Sequence, residues 1–358
     1  MIVVIGAGVV GLATGLAFAQ RGRDVVVLER HRRAGLDTST HNSGVIHAGL
    51  YYPPGSRKAQ LCVEGRERLK VFCASHGVPH HTSGKLVVAT CVEEEPEIDR
   101  LGQNARASGV GEVEIVDAAF VHRREPHVRA TRALWSPLTA WVEAEAYVRA
   151  LQRELERCGG HVLPGSPVLG VEPVGDHVQV TTPHEAIDAD LVVNAAGLYA
   201  DDVSRLCGGE AFTIYPCRGE YAELTLRASA MVNGLVYPVP HHSGHGLGVH
   251  LTKTVSGTVW LGPSIQYQAR KDDYEEHRLP LEAFLAETQR LLPGVTIGDL
   301  RLSGSGIRAK LHPPTEKFAD FMIRRDAHQP WLIHAAGIDS PGLTASLAIG
   351  AEIAAMAK

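Results

Sequence analysis

The sequence lacks most of what would mark a chain for nucleic acid, metal or thiol redox chemistry. Its formal net charge is −5 over 358 residues, which gives no electrostatic case for binding a nucleic acid. None of its six cysteines (Cys62, Cys73, Cys91, Cys158, Cys207, Cys217) falls in a CxxC or CxxxxC pair. Structural zinc and a redox-active disulfide both depend on such spacing, so reduced packing thiols are expected instead. Internal repeats and low-complexity tracts are also missing. Met1 to Ala19 is almost wholly apolar, but Gly6, Gly8 and Gly11, a β-branched start and the lack of a basic flank argue against a signal or membrane helix. A strand beginning at the second residue leaves no room for a presequence, and a cytoplasmic location is expected. A hydrophobic content of 44% with 21% charged residues suits a globular protein of one large or two ordinary domains.

What is present begins at once. Ile2 to Ile5 is a short apolar strand, followed by Gly6-Ala7-Gly8-Val9-Val10-Gly11, an apolar helical run to Ala19, and a second strand from Val25 to Leu28 closed by Glu29. This order is the βαβ fingerprint of a Rossmann-like dinucleotide-binding unit. Gly6 allows the tight turn, Gly8 lets the backbone approach a pyrophosphate, and Gly11 lets the helix pack on the strand. The helix N-terminus offers unpaired N–H groups and its dipole to the phosphates, and Glu29 stands where an acid accepts hydrogen bonds from a ribose.

Further along, Thr38 to Tyr52 combines small hydroxyls and glycines with His47 and paired tyrosines, a pattern for a loop and helix start lining a pocket. Helices are predicted over 58–76, 93–108, 143–158 and 282–292, with strands over 85–90, 113–116 and, in short pieces, 162–182. Asp190 to Gly197 is a buried strand running into Ala-Ala-Gly, where backbone can press against a cofactor. Residues 213–264 are strand-rich with frequent turns, which suggests an antiparallel sheet. A strand pair near 321–325 and 331–334 precedes a small-residue helix to Met356, for which Ser340 or Asp339 before Pro341 is the expected cap. His241-His242-Ser243-Gly244-His245 tempts a metal reading, but its glycine and its place between two strand-like runs favour a loop; no metal is expected. The predicted architecture is α/β with an α+β insertion: a discontinuous dinucleotide domain from 1–76, 143–212 and 301–358, and a largely antiparallel substrate domain from 77–142 and 213–300.

The chain lacks the second fingerprint and cysteine pair of disulfide reductases. Over essentially its whole length it resembles the amino-acid-oxidase-like FAD oxidoreductases, and within them the L-2-hydroxyglutarate dehydrogenase/oxidase branch. The resemblance rests on Asn42-Ser43-Gly44-Val45-Ile46-His47-Ala48-Gly49, Val193-Asn194-Ala195-Ala196-Gly197, Gly306-Ile307-Arg308 and Ser340-Pro341-Gly342-Leu343-Thr344-Ala345-Ser346. It implies non-covalent FAD, since no cysteine neighbours Arg308 in sequence. It also implies that Gly6, Gly8, Val10 and Gly11 hold the pyrophosphate side and Glu29 and Arg30 the adenosine side. Asn42, Ser43, Gly44, Val168, Ala196 and Gly197 would run along the cofactor. Gly342, Leu343 and Thr344 would present amides to the flavin edge where charge accumulates.

By the same resemblance Arg308 forks around the substrate carboxylate, a task suited to guanidinium. His47 is assigned as the base for the hydroxyl proton, the alternative being a histidine that only orients the substrate. His250 and Lys310 are further pocket candidates, and Arg218, Tyr52 or Lys253 are offered for a second carboxylate. Two departures from the family pattern are Ala309, where proline often follows the arginine, and Trp141-Val142-Glu143, where glycine and aspartate are usual. The implied reaction is oxidation of an L-2-hydroxy acid, with oxygen, a quinone or an electron-transfer protein as acceptor and peripheral membrane contact as the route to a respiratory partner. The competing readings are an enzyme of the same fold acting on an amino acid or glycerol-3-phosphate, and a non-catalytic dinucleotide-binding protein.

Overall fold

The computed structural model describes residues 1–240 and 248–357. The histidine-rich segment at 241–245 therefore lies outside the described residues. Strand β1 (Ile2–Ile5) is buried at every position, as expected of a β-branched run with no polar alternation. It pairs in parallel with β2 (Val25–Leu28) on one side and with Leu191–Asn194 on the other. His161–Leu163 and Leu332–Ala336 extend this sheet in parallel, and Met322–Arg325 closes one edge antiparallel, for six strands in all. Gly6, at φ +105°, makes the turn out of β1. Helix α1 (Val9–Ala19) then packs back on it, because a Cβ on Gly11 would collide with the Gly6 carbonyl oxygen.

Helix α2 (Arg57–Ser75) and the C-terminal helix Gly342–Met356 join α1 in covering this sheet through one apolar core. The helices meet backbone to backbone. A Cβ on Gly350 would stand 2.5 Å from the Ala13 carbonyl oxygen of α1, and one on Gly65 would stand 2.6 Å from the Ala345 Cα.

The second sheet has nine strands and is antiparallel except where Lys85–Ala89 runs parallel to Leu235–Pro238. Its longest strand, Leu300–Lys310, pairs with Tyr215–Leu224 from Lys310 opposite Tyr215 to Leu300 opposite Leu224. This moves the expected segment boundary at 301, since residues 301–310 belong to the antiparallel sheet. Serines and glycines at 303–306 hide the strand; its partner supplies the pairing. Thr38 to Tyr52 contains no helix start either: Val45–Ile46 is a short strand against Ala140–Val142. No helix among the described residues is long and apolar enough to cross a membrane.

Replacing Gly350 by valine should force α1 and the C-terminal helix apart. The expected cost is about 1–3 kcal/mol, the usual range for overpacking, read as a lower urea midpoint.

Candidate active site

The carboxyl ends of the parallel strands open into a cavity of about 840 Å³ between the two sheets. This is where an open α/β sheet presents its turns and helix N-termini to a ligand. Gly6, Gly8 and Val10 line it from the first turn, and Glu29 and Arg30 from the end of β2. Val168, Ala196 and Gly197 line it from the following loops, and Gly342 and Leu343 from the C-terminal helix. Asn42, Ser43, Gly44, His47, Tyr52, His250, Arg308 and Lys310 form the remaining wall among those anticipated.

Glu29 is nearly fully buried and accepts hydrogen bonds from the Ala7 and His31 amides, each at 2.9 Å. Arg30 lies 3.8 Å over the Tyr199 ring and donates to Asp37. Ser39, not anticipated, accepts from the Val9 amide at 3.0 Å and so ties the 38–44 loop to α1. Asn42 turns back on that loop, donating to the Thr38 and Ser39 carbonyls and accepting from the Gly44 amide.

Several expected residues lie elsewhere. Arg218 is not in the cavity wall: it is 1% exposed and locked to Glu220 at 2.9 Å, with Asp273 and Gln266 as further partners. A guanidinium already neutralised at that depth has nothing left for a substrate carboxylate. Lys253 is likewise spent on the Ser229 and Val232 carbonyls. Gly11 sits behind the turn as packing. Thr344 is fully buried, and its hydroxyl accepts from the His47 amide at 3.0 Å. Neither Ser340 nor Asp339 caps the last helix; Pro341 holds the cap position and no side chain bonds there.

The reacting end is built from three segments. Arg308 sits on Leu300–Lys310 with its guanidinium over Gly219, where a Cβ would approach Nη2 to 2.7 Å. It donates to the Ser264 carbonyl at 3.3 and 3.4 Å and forms no ion pair among the described residues. Cys217 stands opposite it in register with Sγ 3.9 Å from Nη1, a neighbour the linear sequence conceals; that thiol is buried and outside the cavity wall. His47 Nε2 lies 3.3 Å from the Ser340 hydroxyl, which is itself 3.3 Å from the Tyr52 hydroxyl. Its Nδ1 is buried with no partner among the described residues. Burial, aided by the nearby Lys85 ammonium, pulls the His47 pKa down to about 3, so its imidazole is neutral at physiological pH.

Asp339 lies between Lys58 at 2.6 Å and Lys310 at 3.3 Å. Burial alone would raise its carboxyl, but the two ammonium groups outweigh burial and hold its pKa below the ordinary value. Glu210, Asp326 and His334 also cluster, yet each is engaged. Asp326 accepts from His334 at 2.7 Å and from three backbone amides, and Glu210 pairs with Arg324.

Comparison with known proteins decides what this frame is. The model of the FAD dependent oxidoreductase (DAO) family matches residues 1–356. The chain belongs to this family. The oxidoreductase is 35% identical to the mitochondrial L-2-hydroxyglutarate dehydrogenase of Arabidopsis thaliana, across 98% of this chain and 82% of the relative. It is 30% identical to the L-2-hydroxyglutarate dehydrogenase of Indibacter alkaliphilus, across 98% and 97%. Among solved structures, it superposes on L-alpha-glycerophosphate oxidase from Mycoplasma pneumoniae with a TM-score of 0.90 at 23% identity, covering 98% of this chain and 93% of the other. Glycine oxidase from Geobacillus kaustophilus gives 0.83 at 20% identity, covering 99% and 94%.

The cavity of the oxidoreductase fits FAD. The turn at Gly6 to Gly8 is bare backbone, and a Cβ on Gly8 would close to 2.8 Å on Ser39 Oγ. The C-terminal helix brings its first turn to the wall, where the Gly342 amide donates to the Asp339 carbonyl at 2.6 Å and the Leu343 amide is one that a helix cannot pair internally.

Removing the Asp339 charge should expose how far the two lysines depend on it. Asp339→Asn leaves Lys58 buried beside Lys310 without a counter-ion, at an expected cost of about 3–5 kcal/mol in denaturant titration. The wild-type contribution has a definite pH sign. Because the folded pKa is depressed, it is fully present above the unfolded value of about 3.9 and is lost as pH falls through the lower folded value.

Proposed function

We propose that this oxidoreductase converts L-2-hydroxyglutarate to 2-oxoglutarate. The observation that carries the reading is Arg308, a half-buried guanidinium facing the cavity with no carboxylate of its own among the described residues. Arginines buried for structural reasons in this chain have acidic partners, as Arg218 has Glu220. An unpaired one in a ligand cavity is poised for an anion, and its fork suits a carboxylate. The named substrates of the two dehydrogenase relatives supply the rest of the identity.

In this reading Gly6, Gly8 and the 42–44 loop hold the FAD pyrophosphate, Glu29 the adenosine ribose, and Gly342 and Leu343 the flavin edge. Bound there, FAD supplies the acceptor for the hydride that leaves C2. Arg308 fixes the C1 carboxylate and thereby orients C2. His47, kept neutral, accepts the hydroxyl proton at a ring nitrogen. A weak base is sufficient, because loss of hydride turns the hydroxyl into a protonated carbonyl, a strong acid. The arriving carboxylates also raise the basicity of His47 by favouring its charged form. Ser340, itself in contact with the Tyr52 hydroxyl, holds the ring in line at Nε2. With Arg218 and Lys253 committed elsewhere, Lys310 and Tyr52 are the wall residues we assign to the distal carboxylate.

The test is anaerobic reduction of the purified flavoprotein. L-2-hydroxyglutarate should bleach the flavin, and the D-enantiomer should not. Arg308→Ala should retain FAD and weaken substrate binding by about 2–5 kcal/mol. His47→Gln should slow reduction by about 10²–10⁴-fold at saturating substrate. Turnover of an amine or of glycerol-3-phosphate in place of the hydroxy acid would falsify the assignment.

A further inference from the structure

The strand Leu300–Lys310 carries Arg308 and Lys310 as alternate residues, so both lie on one face, about 6.6 Å apart at the backbone. Cys217 stands opposite Arg308 on one neighbouring strand and opposite Tyr267 on the other, which sets the Tyr267 side chain on that same face. Arg308, Lys310 and Tyr267 all line the cavity. His312, just beyond the strand, lines it too and is 4% exposed. Both of its ring nitrogens are engaged. Nε2 lies 3.4 Å from the Lys310 ammonium, and Nδ1 lies 3.0 Å from the Pro313 carbonyl and 3.3 Å from the Tyr267 hydroxyl.

These partners fix the tautomer. An ammonium can only donate and a carbonyl can only accept, so Nε2 holds the lone pair and Nδ1 the hydrogen. The Tyr267 oxygen accepts a share of that N–H, and its own hydrogen has no acceptor among the described residues. The phenol is pushed up to about 12, first by burial, and keeps that hydrogen. Lys310 has three N–H donors and directs one to His312 and one to Asp339 at 3.3 Å. The third has no partner among the described residues. The charges agree with this count: Asp339 is already matched by Lys58 at 2.6 Å, so the trio of Lys58, Asp339 and Lys310 has one positive charge in surplus.

We propose that His312 is a specificity-determining positioning residue: bridging Lys310 and Tyr267, it aims one donor from each at the second carboxylate of a dicarboxylic substrate whose first carboxylate rests on Arg308, as in the proposed function. To Lys310 this adds Tyr267 as a donor and His312 as the group that holds the two. A monocarboxylic acid of the same length would enter the cavity and leave both donors unpaired, which sets the preference for a diacid.

The experiment uses the oxidised, FAD-loaded protein and titrates two unreactive acids, glutarate and valerate, through the change each causes in flavin absorbance. Both have five carbons, and only glutarate has a second carboxylate. With two charge-assisted contacts at the far end, wild type should prefer glutarate by about 100-fold. His312→Phe and Tyr267→Phe should each weaken glutarate by about 10-fold, and valerate affinity should not follow. In stopped-flow reduction by L-2-hydroxyglutarate the apparent Kd should rise with the glutarate Kd, and the limiting rate should fall by less. Equal losses for the two acids, or glutarate held as tightly as in wild type, would reduce His312 to a packing residue and overturn the inference. If His312→Phe does not retain FAD, the half-buried Tyr267, whose ring the phenylalanine preserves, decides by the same outcomes. A wild type that prefers glutarate but is left unreduced by L-2-hydroxyglutarate would uphold this site and overturn the proposed substrate. Reduction without the preference would do the reverse.

Discussion

The backbone contact between α1 and the C-terminal helix governs the rest of the structure. Gly350 and Gly65 let three helices approach until main-chain atoms touch, and that approach determines where the last helix begins. Its first turn lies in the cavity wall, and two residues further on, Thr344 holds the His47 amide. One packing constraint therefore fixes both a wall of the nucleotide cavity and the backbone of the histidine that faces the reaction. A shift of the helix along its axis would move both together.

Around that frame, the role of each cation is decided by its company. Arg218 with Glu220, and Lys58 with Asp339, are buried charges with counter-ions and contribute cohesion. Arg308 has only a carbonyl to lean on and keeps its charge for a visitor. Lys85 is a third kind, buried and held by the aromatic faces of Tyr51 and Tyr237. The same residue type thus does different work depending on whether its neighbour is an anion, a dipole or a quadrupole.

This also explains what could be read beforehand. The order β1, α1, β2 and Glu29 is local, and its glycines act within a few residues of one another, so sequence spacing conveys it. The strand Leu300–Lys310 is set by a partner some ninety residues earlier, and its serine-glycine stretch carries no alternation of its own. The distinction between Arg218 and Arg308 was equally out of reach: both lie in strands beside glycine residues, and only the buried pairing of Arg218 with Glu220 separates them. Cys217 beside Arg308 is a product of register alone. Lys85 did carry a signal, a charge heading the otherwise apolar run Leu86-Val87-Val88-Ala89, with no carboxylate near it in sequence.

The first sheet has a kinetic consequence. Its central strand, β1, takes Leu191–Asn194 as a partner, and that strand takes Leu332–Ala336. The helix that seals the site arrives later still in the chain. During synthesis, α1 and β2 emerge long before the surfaces they need, and their apolar faces must wait through most of translation. Pairings this distant in sequence are slow to form and leave hydrophobic segments open to misassociation. Cofactor capture then belongs at the end of folding, when the last helix docks and the cavity acquires its final wall.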